Sequence, residues 1–381
     1  MKRINILISL LLVSLFALSQ QDYMDISSDI KKYPGGETYE VKKYPHKFKS
    51  EKPKNVIFMI GDGMGVTHVF VGITANKGHL FLDNFKHVGF SKTHSATRYI
   101  TDSAAGGTAL STGVKTYNGA ISVDMDTVPI KTILEEAEEK DLATGLVSTS
   151  SITHATPASF IAHQASRNSY EAIAADFLKT DIDVFIGGGY DNFANREDGK
   201  NLVKKLEEKG YKVLQDMNEI KKIKRGKLAG LTAPGHPPRI EQRGDMLPVA
   251  TKTAINILKN DDDGFFLMVE GSQIDWGGHQ NNTVYIVEEM LDFDKAIGEA
   301  LEFAAKDGET LIVITADHET GGLSVIGGDG ETGKIVGAYG TKSHSAVMVP
   351  VFAYGPGAEK FTGIMDNTDI HHKIKDLLLG E

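Results

Sequence analysis

The chain has 381 residues, 41% hydrophobic and 24% charged, with a formal net charge of −10 and no cysteine. Such a length supports a large core, so neither a disulfide nor a structural metal is needed merely to fold. The missing cysteines exclude thiolate zinc sites, iron–sulfur clusters and cysteine nucleophiles, and the acidic balance argues against a nucleic-acid partner, which needs a basic face.

At the N-terminus, Lys2 and Arg3 precede the apolar run from Ile4 to Leu18, with Ala17 and Ser19 at the small-residue spacing of a cleavage site. Residues 1–20 read as a secretory signal peptide, because the run is shorter than the roughly 20 residues a membrane span needs. An uncleaved anchor is the alternative. The expectation is export to the periplasm or the medium, with no membrane anchor after cleavage. Residues 21–53, interrupted by Pro34, Gly35, Gly36 and Pro45, read as an N-terminal arm or linker.

Beyond residue 54, strand-length apolar runs alternate with helix-period segments. Strands are expected at Asn55–Ile60, Gly145–Thr149, Val184–Ile186, Phe265–Val269, Thr310–Thr315 and Val349–Tyr354. Helices are expected at Pro129–Lys140, Tyr170–Lys179, Asn201–Lys209, Leu247–Lys259 and Thr283–Lys306, with Asp198 capping the third and Gly210 and Gly308 as stops. Continuous apolar strands between amphipathic helices predict an α/β fold over 54–381: one catalytic domain with a mostly parallel central sheet covered on both faces. Residues 190–244 differ, with Lys221, Lys222, Lys224, Arg225 and Lys227 followed by the turn-rich Ala233–Arg239. They read as an inserted helix and loop region, either solvated or forming a basic lid over an anionic substrate.

The first apolar strand runs into Gly61-Asp-Gly-Met-Gly65. A dinucleotide fingerprint is disfavoured there, because the glycine spacing is wrong and Asp62 would point a carboxylate at a pyrophosphate. An acid at the carboxyl end of a buried strand suits a metal ligand better. The pattern recurs: Phe265–Val269 ends in Glu270, with Asp275 and His279 following, and Thr310–Thr315 ends in Asp317 and His318. His344 lies upstream of Val349–Tyr354. Singly, each acid reads as a turn or cap residue and each histidine as a hydrogen-bonded one. Together, at equivalent strand ends, they favour a polynuclear site of oxygen and imidazole ligands, which suits zinc with magnesium. Ser103, in Thr101-Asp-Ser-Ala104, is either an ordinary cap or a nucleophile at a helix N-terminus, where a divalent metal can lower its pKa.

These residues resemble the alkaline phosphatase family, in order and over nearly the whole chain from about Lys54: Gly61–Gly65, Thr101–Ala104, Val147–Thr149, Ala155–Pro157, Ser166-Arg167, Val269–Gly271 with Asp275 and His279, Thr315–His318, and Ser343-His344. The resemblance implies an α/β/α sandwich and hydrolysis of phosphate monoesters, releasing inorganic phosphate through a phosphoserine on Ser103. It implies two zinc ions, one on Asp275, His279 and His344, the other on Asp62, Asp317 and His318 beside Ser103. A magnesium would be held by Asp62, Thr156 and Glu270. Arg167 would clamp the phosphate with its planar fork, and the family suggests a homodimer. His154 stands where the best-known bacterial pattern has an Asp near the magnesium, so weaker magnesium retention, with zinc as the third ion, is expected. Trp276 replaces the usual Lys or His and is expected, with His154, beside the substrate. Rival readings are a phosphodiesterase or phosphomutase on the same scaffold and a secreted phosphate- or metal-binding protein without chemistry.

Overall fold

The computed structural model describes residues 31–380, so the signal-peptide reading of residues 1–20 lies outside the described residues. All six apolar runs form strands of one ten-stranded sheet. Its spatial order is Gly363–Asp366, His87–Lys92, Val349–Tyr354, Thr310–Thr315, Asn55–Gly61, Phe265–Gly271, Ala143–Ser151, Val184–Gly188, Leu228–Leu231 and Lys212–Leu214. Val349–Tyr354 is antiparallel to both neighbours, and every other pairing is parallel. Alternate residues of Asn55–Gly61 feed two cores: Ile57 and Met59 pack towards one helical layer, Val56, Phe58 and Ile60 towards the other. This burial on both faces is why the runs are apolar throughout, and it makes the fold an α/β sandwich.

The register positions the chemistry. Asn55–Gly61 lies between Phe265–Gly271 and Thr310–Thr315, with Ile60 opposite both Glu270 and Thr315. Asp62, Glu270 and Asp317 therefore emerge at one edge of the sheet. The reversed direction of Val349–Tyr354 brings its upstream residues to that same edge. There His344–Ser345 pairs with Glu319–Thr320, matching His344 to Thr320.

The expected helices form: three are shorter, as Ile133–Glu138, Tyr170–Asp176 and Leu202–Glu208, and two fall within a residue of the expected bounds, as Met246–Leu258 and Thr283–Asp307, the last stopping at Gly308 in the left-handed conformation. One expected cap is corrected. Asn201, not Asp198, caps Leu202–Glu208, its Oδ1 accepting from Lys204 N at 3.2 Å. Asp198 is taken by Arg196, whose guanidinium donates to both carboxylate oxygens at 3.0 and 2.8 Å. The 190–244 stretch supplies the last two strands at one side of the main sheet, Leu228–Leu231 and the edge strand Lys212–Leu214, and its Lys222 and Lys227 pair with Glu219 and Asp181.

The described part of the arm docks on the body. Asn76 accepts from Tyr39 N (2.9 Å) and donates to Tyr39 O (3.1 Å), while Asn84 accepts from Tyr44 N (2.8 Å) and donates to Lys42 O (3.0 Å). Among the described residues no helix is long and apolar enough to cross a membrane.

Beyond the turn at 233–239, Arg243 is buried against the long helix. It donates to Glu289 Oε1 at 2.9 Å and Asp292 Oδ2 at 2.7 Å, with all three side chains at most 2% exposed. Burial already pushes the Asp292 carboxyl up to about 6. Arg243→Ala would strand two buried acids, and is expected to destabilise the fold by about 3–5 kcal/mol, read from the denaturant midpoint. Arg243→Lys should recover only part of this, because an ammonium cannot bridge two carboxylates as the guanidinium fork does.

Candidate metal centre and active site

Among the described residues, three groups of side chains bring their ligand atoms within 4.8 Å of one another: Asp275, His279 and His344; Asp62, Asp317 and His318; and Asp62, His154 and Glu270. Asp62 belongs to two of them.

The first group rests on the helix Gln273–His279, where a spacing of four puts Asp275 and His279 on one face. Their Oδ1 and Nε2 are 3.4 Å apart, and His344 Nε2 lies 3.6 Å from the same oxygen. Each imidazole is oriented from behind: His279 Nδ1 meets Lys342 O at 2.7 Å, and His344 Nδ1 meets Thr101 O at 2.9 Å. A proton donated to those carbonyls leaves both Nε2 atoms free to ligate. Thr320 Oγ1 donates to Asp275 Oδ1 at 2.5 Å.

The second group is fully buried. His318 Nε2 is 3.5 Å from Asp62 Oδ1 and 3.2 Å from Asp317 Oδ2. Ser103 Oγ lies 3.2 Å from that nitrogen. Ser103 opens the helix Ser103–Thr112, and Asp102 caps it by accepting from Ala105 N at 3.0 Å. The orphan amides and dipole of this N-terminus favour negative charge at the serine oxygen. The loop between the first two groups is tight: Gly63 has φ +74°, and a Cβ there would stand 2.8 Å from Asp275 Cα. Only glycine fits.

In the third group, Glu270 Oε2 accepts from Ser148 (2.5 Å), Ser272 (2.6 Å) and Ser150 (3.3 Å), while Oε1 has no hydrogen-bond partner among the described residues. The same is true of both Asp62 oxygens, Asp317 Oδ2, Thr156 Oγ1 and His154 Nδ1. Buried orphan acceptors are rare in folded proteins. Several converging on one spot fit divalent cations, whose charge would balance the clustered carboxylates. Without cations, burial and mutual repulsion push Asp62 and Asp317 well above the usual carboxylate range, and burial raises Glu270. Burial, followed by the neighbouring His344 and Arg167, holds His318 neutral, the ligating form.

Arg167 faces this corner. Its Nη1 donates to Asp102 Oδ2 at 3.1 Å, and its Nη2 is 3.3 Å from His154 Nε2. His154 is buried and Trp276 half-buried, their ring centroids 6.2 Å apart and edge to face. All twelve residues singled out in the sequence thus fall into the three groups or beside them. Sequence reasoning missed Ser148, Ser150 and Ser272 around Glu270, Thr320 on Asp275, and Asp102 as the partner of Arg167. A run of four hydroxyl residues, Ser148–Ser151, closing a buried strand directly after Leu146 and Val147 was the available signal.

Fold and site together define a class: α/β enzymes that carry metal ligands on the carboxyl edge of a parallel sheet. A family model for alkaline phosphatase matches residues 53–336. Alkaline phosphatase 3 of Bacillus subtilis (strain 168) is 44% identical over 339 residues, covering 84% of this chain and 70% of that one. The alkaline phosphatase of Escherichia coli (strain K12) is 33% identical over 412 residues, covering 86% and 87%. A solved TAB5 alkaline phosphatase, a histidine-to-aspartate variant with magnesium bound in its M3 site, superposes with a TM-score of 0.81 at 42% identity, covering 86% of this chain and 98% of that one. The chain belongs to the alkaline phosphatase family and is a phosphoric monoester hydrolase that uses metal cofactors.

Proposed function

We propose that this enzyme hydrolyses phosphate monoesters through a phosphoserine on Ser103, assisted by two zinc ions and one magnesium. The observation that carries the reading is Ser103 Oγ at a helix N-terminus, 3.2 Å from His318 Nε2 and beside the orphaned oxygens of Asp62 and Asp317. Asp275, His279 and His344 would hold one zinc; Asp62, Asp317 and His318 the other; Asp62, Thr156 and Glu270 the magnesium. When bound, the ions supply Lewis-acid stabilisation of charge on the serine oxygen, the leaving oxygen and the phosphoryl group. The chain's own part is to orient. Asp102 holds Arg167 so that its fork can take two phosphate oxygens, and the helix N-terminus favours ionised Ser103. The three serines on Glu270 Oε2 leave its other oxygen free to ligate. Hydrolysis of the phosphoserine then frees Ser103 and inorganic phosphate.

The test is direct. The holoenzyme is incubated with an aryl phosphomonoester, quenched in acid and digested, and the peptide containing Ser103 is examined by mass spectrometry. A phosphorylated Ser103 that disappears after chelation is the expected result; turnover without any phosphorylated Ser103 peptide would sink the reading.

His154 bears on the third ion. An imidazole suits zinc better than the water shell of magnesium, and a related enzyme with aspartate replacing a histidine binds magnesium in its M3 site. His154→Asp is expected to raise bound magnesium per chain and the affinity for it, measured by plasma mass spectrometry after dialysis. Unchanged magnesium content would remove His154 from this role.

Residues 54–381 are taken as one catalytic domain preceded by an arm at 21–53. Export to the periplasm or medium after cleavage near residue 20, and assembly as a homodimer, belong to the same proposal. They rest on the N-terminal sequence pattern and on family membership.

A further inference from the structure

The turn Ala233–Arg239 carries a residue that the sequence assigned no chemistry. It folds back over the ends of two sheet strands, Ala143–Ser151 and Val184–Gly188. Gly189 N donates to Gly235 O at 2.7 Å, Thr232 N to Gly187 O at 2.7 Å, and Gln273 Nε2 to Pro237 O at 3.0 Å. The approach is so close that a Cβ on Gly188 would stand 2.1 Å from Gly235 O. This anchoring delivers the His236 imidazole to the corner formed by His154 and Trp276.

Its Nδ1 accepts from Ser151 N at 3.0 Å, which fixes the ring and leaves the imidazole proton on Nε2. The ring meets Trp276 at 4.9 Å and 76°, and His154 at 5.3 Å and 85°, so three rings pack edge to face. His154 in turn contacts Arg167 through Nε2 and shares a ligating group with Asp62 and Glu270. Its Nδ1 has no hydrogen-bond partner among the described residues, so beside the Nε2 contact with Arg167 it is ring packing that restrains its rotation.

We propose that His236 is a positioning residue: clamped by Ser151 N, it holds His154 and Trp276 in place, and through His154 it sets the grip of Arg167 on phosphate and the affinity of the third metal position. The inference rests on the phosphatase reading of Arg167. Sites of this kind lose function when supporting groups let them drift by about 1 Å.

Trp276 is the only tryptophan in the chain, so its fluorescence reports this corner alone. The metal-loaded enzyme and its His236→Ala and His236→Phe variants are compared by Trp276 emission, inhibition by inorganic phosphate, kcat and KM for an aryl monoester, and metal content. In His236→Ala the emission should move to the red. Phosphate inhibition and KM should weaken by about three- to tenfold, the scale of a lost edge-to-face ring contact, and kcat should change less than about twofold. The third-position metal should dialyse away sooner. His236→Phe keeps a ring and should recover most of the emission and phosphate binding. Unchanged emission and unchanged phosphate inhibition in His236→Ala would overturn the proposal, and so would a Phe variant no better than the Ala variant. Should the Ala variant fail to fold, His236→Gln takes its place as the ringless partner of His236→Phe, with the same outcomes. Absence of a phosphorylated Ser103 in the unaltered enzyme would undo the parent reading instead, and is scored separately.

Discussion

Ser103→Ala is expected to lower kcat/KM for an aryl phosphomonoester by about a thousandfold or more, equivalent to roughly 4 kcal/mol of transition-state stabilisation. The substitution removes the oxygen that forms the covalent intermediate, and does so where packing tolerates it: Ser103 is 2% exposed and its neighbours Ala104 and Ala105 are already small. Helix Ser103–Thr112 keeps its cap, because Asp102 is untouched. Melting temperature and metal content should therefore stay near those of the unaltered enzyme. Residual turnover would come from Arg167, the helix N-terminus and the ions acting on direct attack by water. Steady-state kinetics with a generic aryl phosphate, beside a calorimetric scan, checks both halves. Full turnover by the variant would remove Ser103 from the chemistry.

Metal removal is expected to have the second large effect, on stability as well as on rate. Asp62, Glu270 and Asp317 are wholly buried, and Asp275 is 5% exposed. Asp62 lies within 4.8 Å of both Asp317 and Glu270, and at that distance and an effective dielectric near 20 each such pair, when ionised, repels by roughly 3 kcal/mol. Bound cations reverse that term, and each ion held at 1,000 times its Kd adds about 4 kcal/mol. For a chain of this length the fall in Tm on chelation should be roughly 10 °C or more.

The pH dependence has a definite sign. The metal-free fold raises the pKa of Asp62, Asp317 and Glu270 above their unfolded values. Between the unfolded and the raised folded values the native state binds more protons than the unfolded chain. Stability is therefore full below the unfolded carboxylate range, near pH 4, and is lost as pH rises through the folded values. Metal binding needs these same groups ionised, so the stabilisation by ions grows with pH. Calorimetry from pH 5 to 9, with and without chelator, should show the two Tm curves diverging towards alkaline pH. Parallel curves would contradict the cation reading of the cluster.

Much of the site was legible because of where it falls in the chain. A strand buried on both faces can carry few polar residues, so Asp62 stands out immediately after Asn55–Gly61, and Glu270 within Phe265–Gly271. Asp275 and His279 were legible as a pair, since a spacing of four puts them on one helical face. His344 was harder. It precedes its strand, and its arrival at the shared edge depends on Val349–Tyr354 running against its neighbours. Hydropathy does not encode strand direction, so the resemblance assigned His344 where periodicity alone could not. The Asp198 cap failed for a local reason: Arg196, two residues away, competes for the same carboxylate with two donors. His236 was invisible because its partners come from residues 151, 154 and 276, joined only by folding.

The amino-acid sequence by itself determined the kind of chemistry. With no cysteine, any metal had to rest on carboxylates, imidazoles and hydroxyls, and the alternation of apolar strands with helices dictated a sheet whose carboxyl edge would carry them. Tertiary structure decided which of those residues share an ion. Asn55–Gly61 lies between two strands more than 200 residues further along the chain, and Ser103 meets His318 across a separation of 215 residues. Local periodicity reports which face of an element is buried, while the choice of neighbour is a competition among long-range pairings that only the packed core resolves.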